Sequence, residues 1–82
     1  MNIDVTRVEP IAGHRLRLTF EDGQKREVNV SQLVPFEGVF APLADHDFFR
    51  QVKVNPEIGT IVWPNGADLC PDVLYESSTP SS

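Results

Sequence analysis

From Arg15 to Phe20 the chain reads Arg-Leu-Arg-Leu-Thr-Phe, and a strict period of two fits a half-buried β-strand and little else. Leu16, Leu18 and Phe20 then share one face, and Arg15, Arg17 and Thr19 the other. Glu21-Asp22-Gly23 follows at once, a hairpin turn in which glycine supplies the positive φ that tight turns require. Lys25 to Val30 returns antiparallel. Residues 3–9 read as a strand ahead of these two, joined through Pro10-Ile11-Ala12-Gly13. A three-stranded meander over residues 3–30 is predicted.

The period changes at Ser31, whose hydroxyl is expected to cap a short helix through Gln32, Leu33 and Val34 that Pro35 stops. Residues 36–40 show no clean period and are expected to be irregular. Asp45 reads as a second N-cap, opening a helix over residues 45–51 with Phe48, Phe49 and Val52 on its apolar side. A second hairpin follows: Val52-Lys53-Val54, a turn over residues 55–57, and the β-branched run Thr60-Ile61-Val62-Trp63, which Pro64 ends. Pro64-Asn65-Gly66 is a turn, Asp72 with Val73-Leu74-Tyr75 is expected to make one last helical turn, and residues 77–82 form a flexible tail too polar to bury anything. The predicted architecture is α+β, a small mainly antiparallel sheet with short helices packed on it, as one domain over residues 1–76. So short a sheet cannot close into a barrel, and its exposed edge allows a homodimer.

A chain of 82 residues makes one domain and buries only about 60 to 65% of its unfolded surface, which argues against a deep two-walled cleft. The single Cys70 cannot form an internal disulfide and fits a reducing, cytoplasmic setting; it is expected to be a buried or half-buried thiol. No signal peptide opens the sequence, and no apolar run reaches membrane-spanning length. A cysteine nucleophile needs a histidine base, and nothing in the spacing brings His14 or His46 to Cys70. Asp45-His46-Asp47 offers three metal donors, but neighbours on a helix point about 100° apart, so capping explains the aspartates better. Asp68 and Asp72 are read as turn and cap residues rather than a carboxylate pair, and the glycines stand singly, with no phosphate-binding loop. No catalytic residue, cofactor or metal site is predicted.

Net charge is −5, and the whole excess lies beyond residue 30, where seven acids face only Arg50 and Lys53. Such a surface repels phosphate backbones, so direct nucleic-acid binding is not expected, whereas a basic protein partner is.

The richest segment is Trp63-Pro64-Asn65-Gly66-Ala67-Asp68-Leu69-Cys70-Pro71-Asp72-Val73-Leu74-Tyr75. Together with Phe20-Glu21-Asp22-Gly23, Gly38-Val39-Phe40 through Leu43, Asp47-Phe48-Phe49 and Val52-Lys53-Val54, it resembles the bacterial domain of unknown function 2442 family across nearly the whole chain. The resemblance implies a small α+β fold without an established activity, often encoded beside another small protein in a toxin-antitoxin-like pairing. Some relatives carry a helix-turn-helix domain after this one; this sequence stops at Ser82, so their DNA binding is not carried over. On the residues alone, Trp63 and Tyr75 read first as core or core-edge anchors. Their functional reading is a partner-binding patch of Trp63, Asn65, Asp68, Asp72, Tyr75 and Glu76. The expected function is a non-catalytic protein-binding module, the antitoxin-like or regulatory half of a two-gene pair. A small accessory domain with a ligand-binding or enzymatic role stays open as the alternative.

Overall fold

The computed structural model describes residues 3–80. Strands β1 (Val5–Pro10), β2 (Arg15–Phe20) and β3 (Lys25–Asn29) form the expected antiparallel meander. Its register pairs Leu16 with Pro10 and Val28, and Leu18 with Val8 and Arg26. Alternation therefore holds across the sheet: Val5, Leu16, Leu18, Phe20 and Val28 are buried on one side, while Arg7, Glu9, Arg15, Arg17, Thr19, Lys25 and Glu27 share the other. A register shift between Val5 and Arg7 kinks β1, as an extra residue in one strand of a pair does.

Beyond β3 the elements are short. Helix α1 (Val30–Leu33) begins two residues earlier than expected, and its cap is Asn29 rather than Ser31. The Asn29 side-chain carbonyl accepts from the Ser31 backbone N–H at 3.0 Å and from the Ser31 hydroxyl at 2.6 Å. Asn29 is still extended (φ −99°, ψ 106°), so one residue both ends the strand and caps the helix, which sends Val30 straight into the core. Of residues 36–40, expected to be irregular, 36–37 are so, but from Gly38 the chain enters a 3-10 helix, Gly38–Ala44, with i to i+3 bonds at Phe40 and Asp45 and with Leu43 buried. Helix α2 (His46–Phe49) has Asp45 as its N-cap, accepting from the Asp47 N–H at 2.9 Å. It is shorter than residues 45–51 at both ends. The second hairpin is as expected: β4 (Lys53–Asn55) pairs with β5 (Thr60–Val62) in a separate two-stranded sheet.

One glycine stitches the two sheets together. The Gly59 carbonyl accepts from the Val5 N–H at 2.9 Å, and its φ of +70° with the Asp4 carboxylate 2.5 Å from where a Cβ would sit leaves little room for a side chain. Helix α3 (Pro71–Ser77) is longer than the single turn expected after Asp72, with Pro71 at its start, where a missing N–H costs nothing.

The polar tail is the main departure from expectation. Ser77 belongs to α3, Ser78 is 6% exposed, and Thr79–Pro80 forms β6, the fourth strand of the meander sheet, opposite Arg26 and Glu27. Polarity misleads here because Ser78 has a charged partner: its hydroxyl accepts from Arg26 Nε at 2.7 Å and its carbonyl from Arg26 Nη2 at 2.8 Å. Residues 81–82 lie outside the described part. Among the described residues no helix is long and apolar enough to cross a membrane.

The core lies between the inner face of the four-stranded sheet and the layer of short elements. Phe49, Trp63, Leu43, Ile61, Leu69 and Leu74 meet Leu16, Leu18 and Phe20 there.

Candidate functional site

The six residues expected to make a partner surface part company. Trp63 is 1% exposed. Its indole N–H donates to the Phe49 carbonyl at 3.0 Å and its ring lies 5.9 Å from that of Phe49, so it is a core plug with its polar atom satisfied. Asn65 is exposed, but its side chain ties the loop together, donating to the Val39 carbonyl at 2.9 Å and accepting from the Ala67 N–H at 3.1 Å. Both hold structure.

Asp72, Tyr75 and Glu76, by contrast, come together along α3, where with Ile3 they line a shallow groove of about 240 Å³. Helical spacing explains the grouping, since Asp72 stands three and four residues ahead of Tyr75 and Glu76. Tyr75 is half-buried: its ring meets Phe20 edge-on at 4.9 Å, the Arg26 guanidinium lies 4.5 Å over it, and its hydroxyl donates to Asp22 at 3.3 Å. Carboxylates from Asp22, Asp72 and Glu76 thus surround one amphipathic ring. Asp68 is exposed on the loop that bridges to β5 at Val62.

Cys70 is exposed rather than buried. It stands just before α3 as its N-cap, extended, without a side-chain capping bond, because the neighbouring Leu69 and Leu74 take the core positions. The two histidines, distant in sequence, meet: their rings lie 4.5 Å apart, and Phe36 and Phe49 close on His14 at 4.9 and 5.0 Å. Spacing could not reveal that pair. Among the described residues no group of three or more His, Cys, Asp or Glu converges as metal donors would.

The outer face of the sheet is a second candidate, and one the whole-chain charge conceals. Across the strands the rows run Arg7–Thr19–Lys25, Glu9–Arg17–Glu27 and Arg15–Asn29. Glu27 bridges two of the bases, Arg15 directly and Arg17 at 3.7 Å. Arg7, Arg15, Arg17 and Lys25 against Glu9 and Glu27 leave this face at +2, so with the chain at −5 everything else sums to −7. The signal was present in the alternation of Arg15 to Phe20, but it becomes a patch only once Arg7 and Lys25 are placed beside it.

Comparison with known proteins adds a family and a fold relative. A family model described as "Protein of unknown function (DUF2442)" matches residues 5–80. No curated protein matches the chain. Among solved structures, the crystal structure of "Putative DNA Binding Protein NE0471" from Nitrosomonas europaea is similar, with a TM-score of 0.66 and 31% identity over 76% of this chain. The chain spans 40% of the length of that protein. The exclusion of nucleic acid drawn from net charge does not stand beside a relative described in those words. Its physical weakness is that net charge sums over the whole surface, whereas a phosphate backbone meets one face.

Proposed function

This chain belongs to the DUF2442 family of proteins of unknown function, and we propose that it is a non-catalytic binding module that docks a basic protein segment, the antitoxin-like or regulatory half of a two-gene pair. The observation that carries the reading is the carboxylate-rimmed groove on α3, where Asp72 and Glu76 flank Tyr75 and Asp22 reaches its hydroxyl. An amphipathic ring among acids favours Lys- or Arg-bearing segments, with charge steering the encounter and the ring supplying contact area. Co-expression with the neighbouring open reading frame tests it. The expected result is a copurifying basic protein whose association slows about tenfold, an effect of charge steering, when Asp72→Lys and Glu76→Lys are combined, with the circular-dichroism spectrum unchanged. Unaltered association kinetics, or no retained protein, would reject the reading.

A second reading has its own support. A relative described as DNA binding shares 31% identity over most of this chain, and although this domain spans less than half of that protein, nucleic acid is proposed as a further partner of the module. Electrophoretic mobility shift with a mixed-sequence duplex tests that reading at low salt, and no shift at micromolar protein would reject it.

A further inference from the structure

We infer that the outer face of the meander sheet is a sequence-independent contact for the phosphate backbone of duplex nucleic acid, through Arg7, Arg15, Arg17 and Lys25. The inference deepens the nucleic-acid reading above and rests on it, but it assigns a surface on grounds of its own.

The first ground is charge segregation. This face holds four of the chain's seven basic residues. Of the others, Arg26 is turned to the inner side against Tyr75 and Ser78, leaving only Arg50 and Lys53 among ten acids elsewhere. The rest of the molecule carries the net negative charge, so the sheet face is where a polyanion is least repelled.

The second ground is shape and arrangement. The bases lie on neighbouring strands at alternate positions, so they project to the same side. From Arg15 to Thr19 this side runs about 14 Å along the strand, at about 3.4 Å per residue. The row Arg7–Thr19–Lys25 contains no acid. Glu27, shared by Arg15 and Arg17, cancels only one of their two charges. Arg15 keeps 52% of its side chain exposed even so.

The third ground is what the face lacks. Among the described residues of the outer rows no side chain is aromatic. Proteins that hold single strands stack bases on aromatic rings, and this surface has only cations and short polar groups. Phosphate contacts position without reading sequence, and an open cationic face without aromatic rings suits the regular backbone of a duplex.

The test is fluorescence anisotropy on the full chain, with a labelled mixed-sequence duplex, its single strand, and poly-glutamate as competitor, over a salt series. The expected result is duplex binding that weakens with salt along a log–log slope of about −3, since each neutralised phosphate contributes about 0.9. The single strand should bind no tighter. Combining Arg7→Glu with Lys25→Glu should weaken binding at least tenfold and flatten the slope, while Asp68→Lys with Glu76→Lys should leave it unchanged or strengthen it. Folding of each variant is read by circular dichroism. Duplex binding insensitive to the Arg7 and Lys25 reversals would reject this face and leave the nucleic-acid reading standing; no binding of either nucleic acid at low salt would reject both. Tighter single-strand binding would overturn the duplex assignment. Competition by poly-glutamate as effective as by unlabelled duplex would give the face to an acidic protein instead.

Discussion

Residues 5–29 and residues 60–80 feed the same core from opposite sides, yet they are held by different kinds of interaction. The meander is a regular ladder in which each strand's register fixes that of the next, and every second side chain enters the core. The C-terminal part has only short ladders, β5 with β4 and β6 with β3. It depends as well on individual bonds from side chains to backbone: the Trp63 indole to the Phe49 carbonyl, the Thr60 hydroxyl to the Leu69 carbonyl at 2.6 Å, Asn65 across to Val39, and Arg26 to the Ser78 carbonyl. Distributed backbone bonding tolerates the loss of any one side chain better than a few anchors do. The C-terminal part should therefore be where single substitutions cost most.

The largest expected effect is at Trp63. Trp63→Ala removes the plug and leaves the Phe49 carbonyl without its donor, a loss of roughly 3 to 5 kcal/mol. For a domain of this size that is a large share of the total stability. Urea denaturation checks it. A loss smaller than that of Leu18→Ala, in the middle of the ladder, would break the comparison.

Next comes the Arg26 anchor. Arg26→Met keeps the apolar stem but forfeits the cation–π contact and two charge-assisted bonds, about 2 kcal/mol. Truncation after Glu76 removes the same partner from the other side. If the two act through one contact, the double variant should lose little more than either alone, which a double-mutant cycle in urea would measure. Additive losses would show that the last strand and α3 end are held by something else.

Smaller still is the cap that joins the two regimes. Asn29→Ala removes the acceptor for both the Ser31 N–H and its hydroxyl and should cost about 1 kcal/mol, with Ser31→Ala well below that because Ser31 only donates. The reverse order would return the capping role to Ser31.

The same contrast governs what was legible in the sequence. The meander was readable residue by residue because a period of two is a local signal and Asp22-Gly23 marks its turn. The second hairpin followed from the β-branched run at Thr60. Local caps were half readable: Asp45 was identified, but Asn29 was not, since Asn at a strand end and Ser one residue inside a helix look alike as capping residues until the backbone is placed. Ser78 and the helical path through Pro42 were not legible at all. Burial of Ser78 depends on Arg26, 52 residues away, and hydrophilic composition argues the other way. Of the proposed surface, Asp72, Tyr75 and Glu76 follow from helical spacing, while Trp63 turned out to be interior because its partner Phe49 lies on another element. The basic face was hidden by summing charge along the chain instead of across the strands.

The smallest expected effect on stability lies on that face, and it separates fold from binding. Glu27 is 20% exposed and sits between Arg15 and Arg17, an arrangement that looks important in a static view. Ion pairs open to solvent contribute little, because water screens them and the long side chains lose freedom on pairing. Glu27→Gln keeps the shape and a hydrogen-bonding oxygen, so its cost should stay below about 1 kcal/mol and shrink further with added salt. The same change raises the outer face from +2 to +3, since only Glu9 then opposes its four bases. If the face holds phosphates, duplex affinity should rise and the salt slope steepen by up to about 0.9, as for one further neutralised phosphate. Titrations of stability and of duplex binding on one sample would read both. A large loss of stability would mean that the bridge is part of the ladder's scaffold, and weaker duplex binding would mean that Glu27 acts by holding Arg15 and Arg17 in position rather than by opposing the bound charge.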